Sequence, residues 1–134
     1  MPDLLFVLGL VLFLLGLLTG LIVPILKNPR MGVASHVQGR NGPFLVLVGL
    51  MWPHLHLSHA WEIVTVILRV YGTYANWLAT QLGSLWGAGH RFAPGATGEH
   101  RAEATQERVV DLLLMTLAPA MIVATVLLIV GILR

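Results

Sequence analysis

The chain has 134 residues, no cysteine and a formal charge of +2; 57% of residues are hydrophobic and 10% charged, and the mean hydropathy is +0.83. A soluble domain carries about 25% charge, so these apolar side chains are suited to burial in lipid rather than in one water-facing core. Disulfides, thiolate catalysis and cysteine metal sites are excluded, and the small, scattered charge excludes a nucleic-acid footprint. An integral membrane protein is expected, as an all-α bundle of four spans.

The first span covers about 4–26. Leu4–Val23 is an uncharged run of twenty residues, enough at about 1.5 Å per residue to cross about 30 Å of hydrocarbon. It is read as a membrane helix rather than a signal peptide, because a charged n-region and a small-x-small cleavage site are missing. Gly9, Gly16 and Gly20 fall near one face, which predicts close approach of another helix. Pro24 and the Asn28-Pro29 pair end the run.

Lys27–Gly42, KNPRMGVASHVQGRNG, is the longest polar interruption in the first two-thirds of the chain. The apolar run after it, Pro43–Trp52, is too short to cross a bilayer. The second span is therefore expected at about 34–54, with His36, Gln38, Arg40 and Asn41 in its first turns and Pro43 able to kink it. Polar groups there must face protein, a cofactor or headgroups. His54, His56 and His59 follow at HxHxxH spacing between Trp52 and Trp61, which fits an interfacial turn with an aromatic belt better than a zinc site.

The third span, about 60–86, is the most polar. Glu62, Thr65, Arg69, Thr73, Asn76, Thr80 and Ser84 recur at three or four residues and form one stripe, flanked by Tyr71, Tyr74 and Trp77. Such a stripe is either glue between helices or the wall of a site, and the sequence leaves both open. Gly87–Glu107 reads as a solvated loop. The last span is expected at about 108–133, with Asp111 in its first turn suiting the helix dipole and Pro119 marking a bend. All four spans form one domain over 1–134. The Lys and Arg distribution places the first and third loops in the cytoplasm.

The strings Gly16–His36, Asn41–Pro53 and Tyr71–Gly89 resemble the hydroxylaminobenzene mutase family and, more distantly, the styrene oxide isomerases. The most specific piece is YGTYANWLAT. The resemblance runs from about Phe13 to Leu133. It implies an isomerase of a small aromatic substrate, turning N-arylhydroxylamines into 2-aminophenols by moving the hydroxyl from nitrogen to the ring. An aryl epoxide isomerase giving an aldehyde, or a non-enzymatic b-type haem membrane protein, is the alternative.

The resemblance further implies haem b, its iron held by His36 and acting as a ferric Lewis acid. Lys27, Arg30 and Arg40 would hold its propionates. Asn41, Tyr71, Tyr74, Asn76 and Trp77 would bound the ring and guide the migrating oxygen. The spacing from His36 to Asn41 is one residue shorter than the family pattern, which turns Asn41 by about 100° on a helix. A homo-oligomer, a trimer by analogy, in a bacterial inner membrane is the implied setting.

Overall fold

The structure is a computed structural model describing residues 1–134. Every regular element is helical: α1 (Pro2–Ile22), α2 (Pro29–Gly39), α3 (Gly42–Met51), α4 (His59–Trp86) and α5 (Ala104–Leu133), with 3₁₀ turns at Val23–Ile25, Trp52–His54 and Pro94–Ala96. α1 with its 3₁₀ turn, and α5, are each long and apolar enough to cross a membrane. α4 matches them in length with 28 residues but carries the polar stripe. Leu10, Leu14, Leu21, Ile122 and Ile129 stand exposed on α1 and α5, so the outer surface is itself apolar.

The second expected span is two helices. It begins at Pro29, earlier than residue 34, because the buried Asn28 caps it: Met31 N–H donates to Asn28 Oδ1 at 3.4 Å. It breaks at Arg40–Asn41. Pro43 has no N–H to offer the Gly39 carbonyl and its ring crowds that carbonyl. The chain tightens there into an i→i+3 bond, Asn41 N–H to Gln38 O at 3.1 Å. α2 and α3 have 11 and 10 residues, and neither is long enough to cross a bilayer alone.

α5 also opens earlier than expected. Glu103 and Gln106 form a reciprocal capping box, which satisfies two of the helix's orphan donors and starts the helix at Ala104. Glu107, not Asp111, therefore sits in the first turn. α5 continues unbroken past Pro119.

The glycine face of α1 makes the tightest packing in the molecule. A Cβ on Gly9 would lie 2.6 Å from the Gly42 carbonyl oxygen, and one on Gly16 would lie 2.6 Å from the Gly39 carbonyl carbon and the Arg40 nitrogen. α1 thus meets α2 and α3 backbone to backbone, which only residues without side chains permit. Next to this seam, Leu5, Leu12, Leu45, Val48, Leu55, Val66 and Leu128 form the main core.

The hydroxyls of the α4 stripe pack inward without bonding a neighbouring helix. Thr65 bonds Trp61 O, Thr73 bonds Arg69 O and Val70 O, Thr80 bonds Asn76 O and Trp77 O, and Ser84 bonds Gln81 O. Each hydroxyl closes on its own helix. These residues serve as small, satisfied surfaces, and only Arg69 and Asn76 of the stripe reach across to other helices.

The seam has a direct test. Gly16→Ala introduces a methyl into a backbone contact that cannot yield, and is expected to cost about 1–3 kcal/mol or more. Gly95→Ala, with nothing within 4 Å of the added atom, is expected to leave stability unchanged. Thermal unfolding of the two variants in detergent reads the difference.

Candidate functional site

His36 lies in the last turn of α2, and the seam decides what its ring does. Its Nδ1 stands 2.7 Å from the Gly16 carbonyl oxygen of α1. A carbonyl only accepts, so Nδ1 carries a proton, and in the neutral imidazole Nε2 then carries the lone pair. Nε2 has no hydrogen-bond partner and is not among the buried unsatisfied atoms. It is open to a cleft of about 450 Å³ lined by Leu17, Gly20, Leu21, Val23, Pro24, Val33 and His36. Gly20 leaves the space beside the ring: a Cβ there would sit 2.7 Å from His36 Nδ1 and 2.9 Å from Cε1.

This is the arrangement of a ligating histidine, with one nitrogen fixed by a backbone carbonyl and the other presented to open space. The cleft is apolar, and the missing side chain of Gly20 makes room for the imidazole itself. The residues present therefore fit a haem held through His36 Nε2.

The three cations assigned to propionates do not form one patch. Lys27, Arg30 and Arg40 are all exposed. Lys27 and Arg30 lie at the start of α2 and Arg40 just past its end, about 15 Å apart along the axis for ten residues.

The three aromatic residues come together elsewhere. Tyr71, Tyr74 and Trp77 line an apolar cleft of about 260 Å³ with Val70, Ala75, Leu78 and Leu113, all from α4 and α5. Two of their polar ends are spent inside the bundle: Tyr74 donates to Leu8 O at 2.7 Å, and Trp77 Nε1 donates to Thr19 Oγ1 at 3.2 Å. The Tyr71 hydroxyl pairs with Thr116 on α5. The His36 and aromatic clefts share no lining residue.

Asn41 and Asn76 meet in a third place. Both side-chain amides donate to Gln38 Oε1, at 3.1 and 2.9 Å, tying the α2–α3 break to α4. Gln38 is two residues from His36, about 200° round the helix, so this network lies on the other face of α2. Its cleft also contains Phe44, Arg69, Thr73 and Met121. Within one chain the expected site residues thus occupy three clefts rather than one.

Sequence reasoning missed the role of Gln38, the Gly16 carbonyl and Gln81, whose Oε1 accepts from Ser35 at 2.9 Å and Thr19 at 3.2 Å. The i, i+2 spacing of His36 and Gln38 was the available signal for two opposed polar faces. His54, His56 and His59 are exposed, and no three His, Asp or Glu side chains of the chain converge.

Fold and cleft together describe a small helical protein with an apolar exterior and one imidazole fixed by a backbone carbonyl beside an apolar cleft. The family model for styrene oxide isomerase matches residues 1–133. The chain belongs to the styrene oxide isomerase family. It is 59% identical over 135 residues, covering 100% of both chains, to hydroxylaminobenzene mutase HabA of Ectopseudomonas oleovorans. It is 50% identical over 117 residues, 87% of this chain and 71% of the other, to hydroxylaminobenzene mutase HabB of the same organism. With such relatives the protein is an isomerase. No solved structure matches it.

The pinned ring is checked by magnetic resonance. In ¹⁵N-histidine-labelled protein, His36 is expected as the Nδ1–H tautomer. Gly20→Ala pushes the ring off Gly16 and is expected to lose that signature, whereas loss in neither or both proteins would contradict the geometry.

Proposed function

We propose that this isomerase converts hydroxylaminobenzene-type N-arylhydroxylamines to 2-aminophenols, in a multi-pass membrane bundle in which α1, the α2–α3 pair, α4 and α5 are the four spans. The observation that carries the substrate class is 59% identity over the whole length of a hydroxylaminobenzene mutase. In the reaction the N–O bond breaks, a C–O bond forms at the ring carbon ortho to nitrogen, and the hydrogen of that carbon leaves as a proton that nitrogen recovers. Nothing is oxidised overall, and the oxygen stays with the molecule.

In this reading His36 would hold haem b through Nε2, and the chemistry the haem would supply is that of a ferric Lewis acid. Gly16 fixes the imidazole by its carbonyl. Tyr71, Tyr74 and Trp77 offer an apolar wall for the arene, since the hydroxyl of Tyr74 and the indole N–H of Trp77 are already satisfied inside the bundle. An apolar site keeps water from trapping a cationic ring. Asn41 and Asn76, through Gln38, hold the α2–α3 break and so the tilt of the helix that carries His36.

The His36 cleft and the aromatic cleft both open outward, on different helix pairs. A homo-oligomer would let one chain's aromatic wall face another's His36, and a trimer is the form proposed. The exposed Lys27, Arg30 and Arg40 remain available for carboxylates at the membrane surface.

A second reading, isomerisation of an aryl epoxide to an aldehyde, is favoured by the description of the family model. Supplying hydroxylaminobenzene and styrene oxide separately to the same preparation separates the two: the first reading expects turnover of the hydroxylamine to dominate.

Two measurements bear on the mechanism. Purified protein is expected to show a Soret band that His36→Ala loses; full haem occupancy in the variant would remove His36 as the ligand. In ¹⁸O-labelled water the aminophenol is expected to stay essentially unlabelled. Substantial label would mean that the hydroxyl departs and water adds.

A further inference from the structure

One turn of α1 holds more than the imidazole. Gly16 gives its carbonyl to His36 Nδ1 at 2.7 Å, and Gly20 leaves the space beside that ring. Between them stands Thr19, only 3% exposed. Like the hydroxyls of the α4 stripe it bonds its own helix, at Leu15 O and 2.8 Å. Unlike them it also takes a donor from another helix, since Trp77 Nε1 on α4 donates to Thr19 Oγ1 at 3.2 Å.

Trp77 sits where α1, α2 and α4 meet. A Cβ on Gly39 would lie 3.2 Å from its Cδ1, so one edge of the indole rests on the backbone of α2. The Ser35 hydroxyl of α2 reaches the Trp77 carbonyl at 3.3 Å. On its outer side Trp77 lines the aromatic cleft with Tyr71, Tyr74 and Leu78.

Packing against a glycine does little to fix the rotation of an indole, because the χ2 well of tryptophan is broad. A hydrogen bond from Nε1 does fix it, and the acceptor is Thr19. Thr19 is itself held in place. Its one hydrogen is shared between Leu15 O at 2.8 Å and Gln81 Oε1 at 3.2 Å, which leaves its lone pairs for the indole. Gln81 Oε1 also accepts from Ser35 at 2.9 Å, so the acceptor for Trp77 is braced by both α2 and α4.

We propose that Thr19 is a positioning residue of the isomerase: its hydroxyl sets the angle of the Trp77 indole and hence the shape of the arene wall. It acts through Trp77 and touches no substrate. The proposal rests on the reading of Trp77 as part of that wall. A wall meets the arene alike in the ground state and the transition state, so its distortion raises KM more than it lowers kcat.

The test uses the full chain in nanodiscs, with indole ¹⁵N–¹H spectra beside kinetics on hydroxylaminobenzene. In Thr19→Val the Trp77 indole signal is expected to leave its hydrogen-bonded position. The His36 Nδ1–H signature is expected to stay, because the Gly16 carbonyl is untouched. KM is expected to rise about tenfold, the scale of one lost hydrogen bond, with kcat changing less. Thr19→Ser, which keeps the hydroxyl, is expected to restore both the signal and KM. An unmoved Trp77 signal in Thr19→Val would overturn the proposal, and so would loss of the His36 signature with it, which marks a general loosening of α1. A moved signal with an unchanged KM would keep Thr19 as the holder of Trp77 and overturn the arene-wall reading instead. Should Thr19→Val fail to fold, proton exchange in the unaltered protein decides. The Trp77 indole proton is expected to be the most protected of the four tryptophans; exchange as fast as at the exposed Trp61 would overturn the assignment.

Discussion

The contact on which the rest depends is the meeting of two backbones, α1 with α2 and α3, at Gly9–Gly42 and Gly16–Gly39. Between helices with apolar exteriors on both sides there is little hydrophobic gain in choosing one face over another, so close van der Waals contact and hydrogen bonding decide which faces pair. The glycines supply the first. The second follows, because a helix this close puts the His36 ring within reach of the Gly16 carbonyl. One packing decision therefore sets the tautomer of the only histidine that α2 carries, and with it which nitrogen is free.

The break between α2 and α3 is the second consequence of crowding along the same seam. Proline at 43 and glycine at 39 and 42 let the chain tighten where a straight helix would have continued. The turn places Asn41 against Gln38 and Asn76, while His36 stays on α1. α2 thereby separates two chemically different surfaces: an apolar one with a lone pair, and a polar one with a guanidinium. What α2 divides within one chain, an assembly of chains would be free to rejoin.

Much of this was legible in the residues. Composition announced an apolar exterior, the period of the α4 stripe announced which side turns inward, and the spacing of Gly9, Gly16 and Gly20 announced a face for close packing. Helix starts were less legible, because caps are made by side chains that look like loop: Asn28 moved α2 forward and the Glu103–Gln106 box moved α5 forward. The behaviour of the stripe was invisible, since a threonine that bonds its own helix and one that bonds a neighbour have the same spacing. The separation of the candidate site residues was equally hidden. It depends on how α2 is rotated about its axis, and the glycine contacts rather than the polar residues set that rotation.

Asn28 gives the two ends of the bundle different mechanical characters. Its backbone N–H bonds Ser84 O at 3.0 Å, its side-chain amide bonds Ala96 O at 3.0 Å, and its Oδ1 caps α2. One buried side chain thus joins the α1–α2 turn, the end of α4 and the loop before α5. At the opposite end, the segment between α3 and α4 has a single backbone bond to another helix, His56 N–H to Gly131 O at 2.8 Å. Amide protons around Asn28, where three segments are tied together, are expected to exchange more slowly than those near His56, where one backbone bond makes the tie.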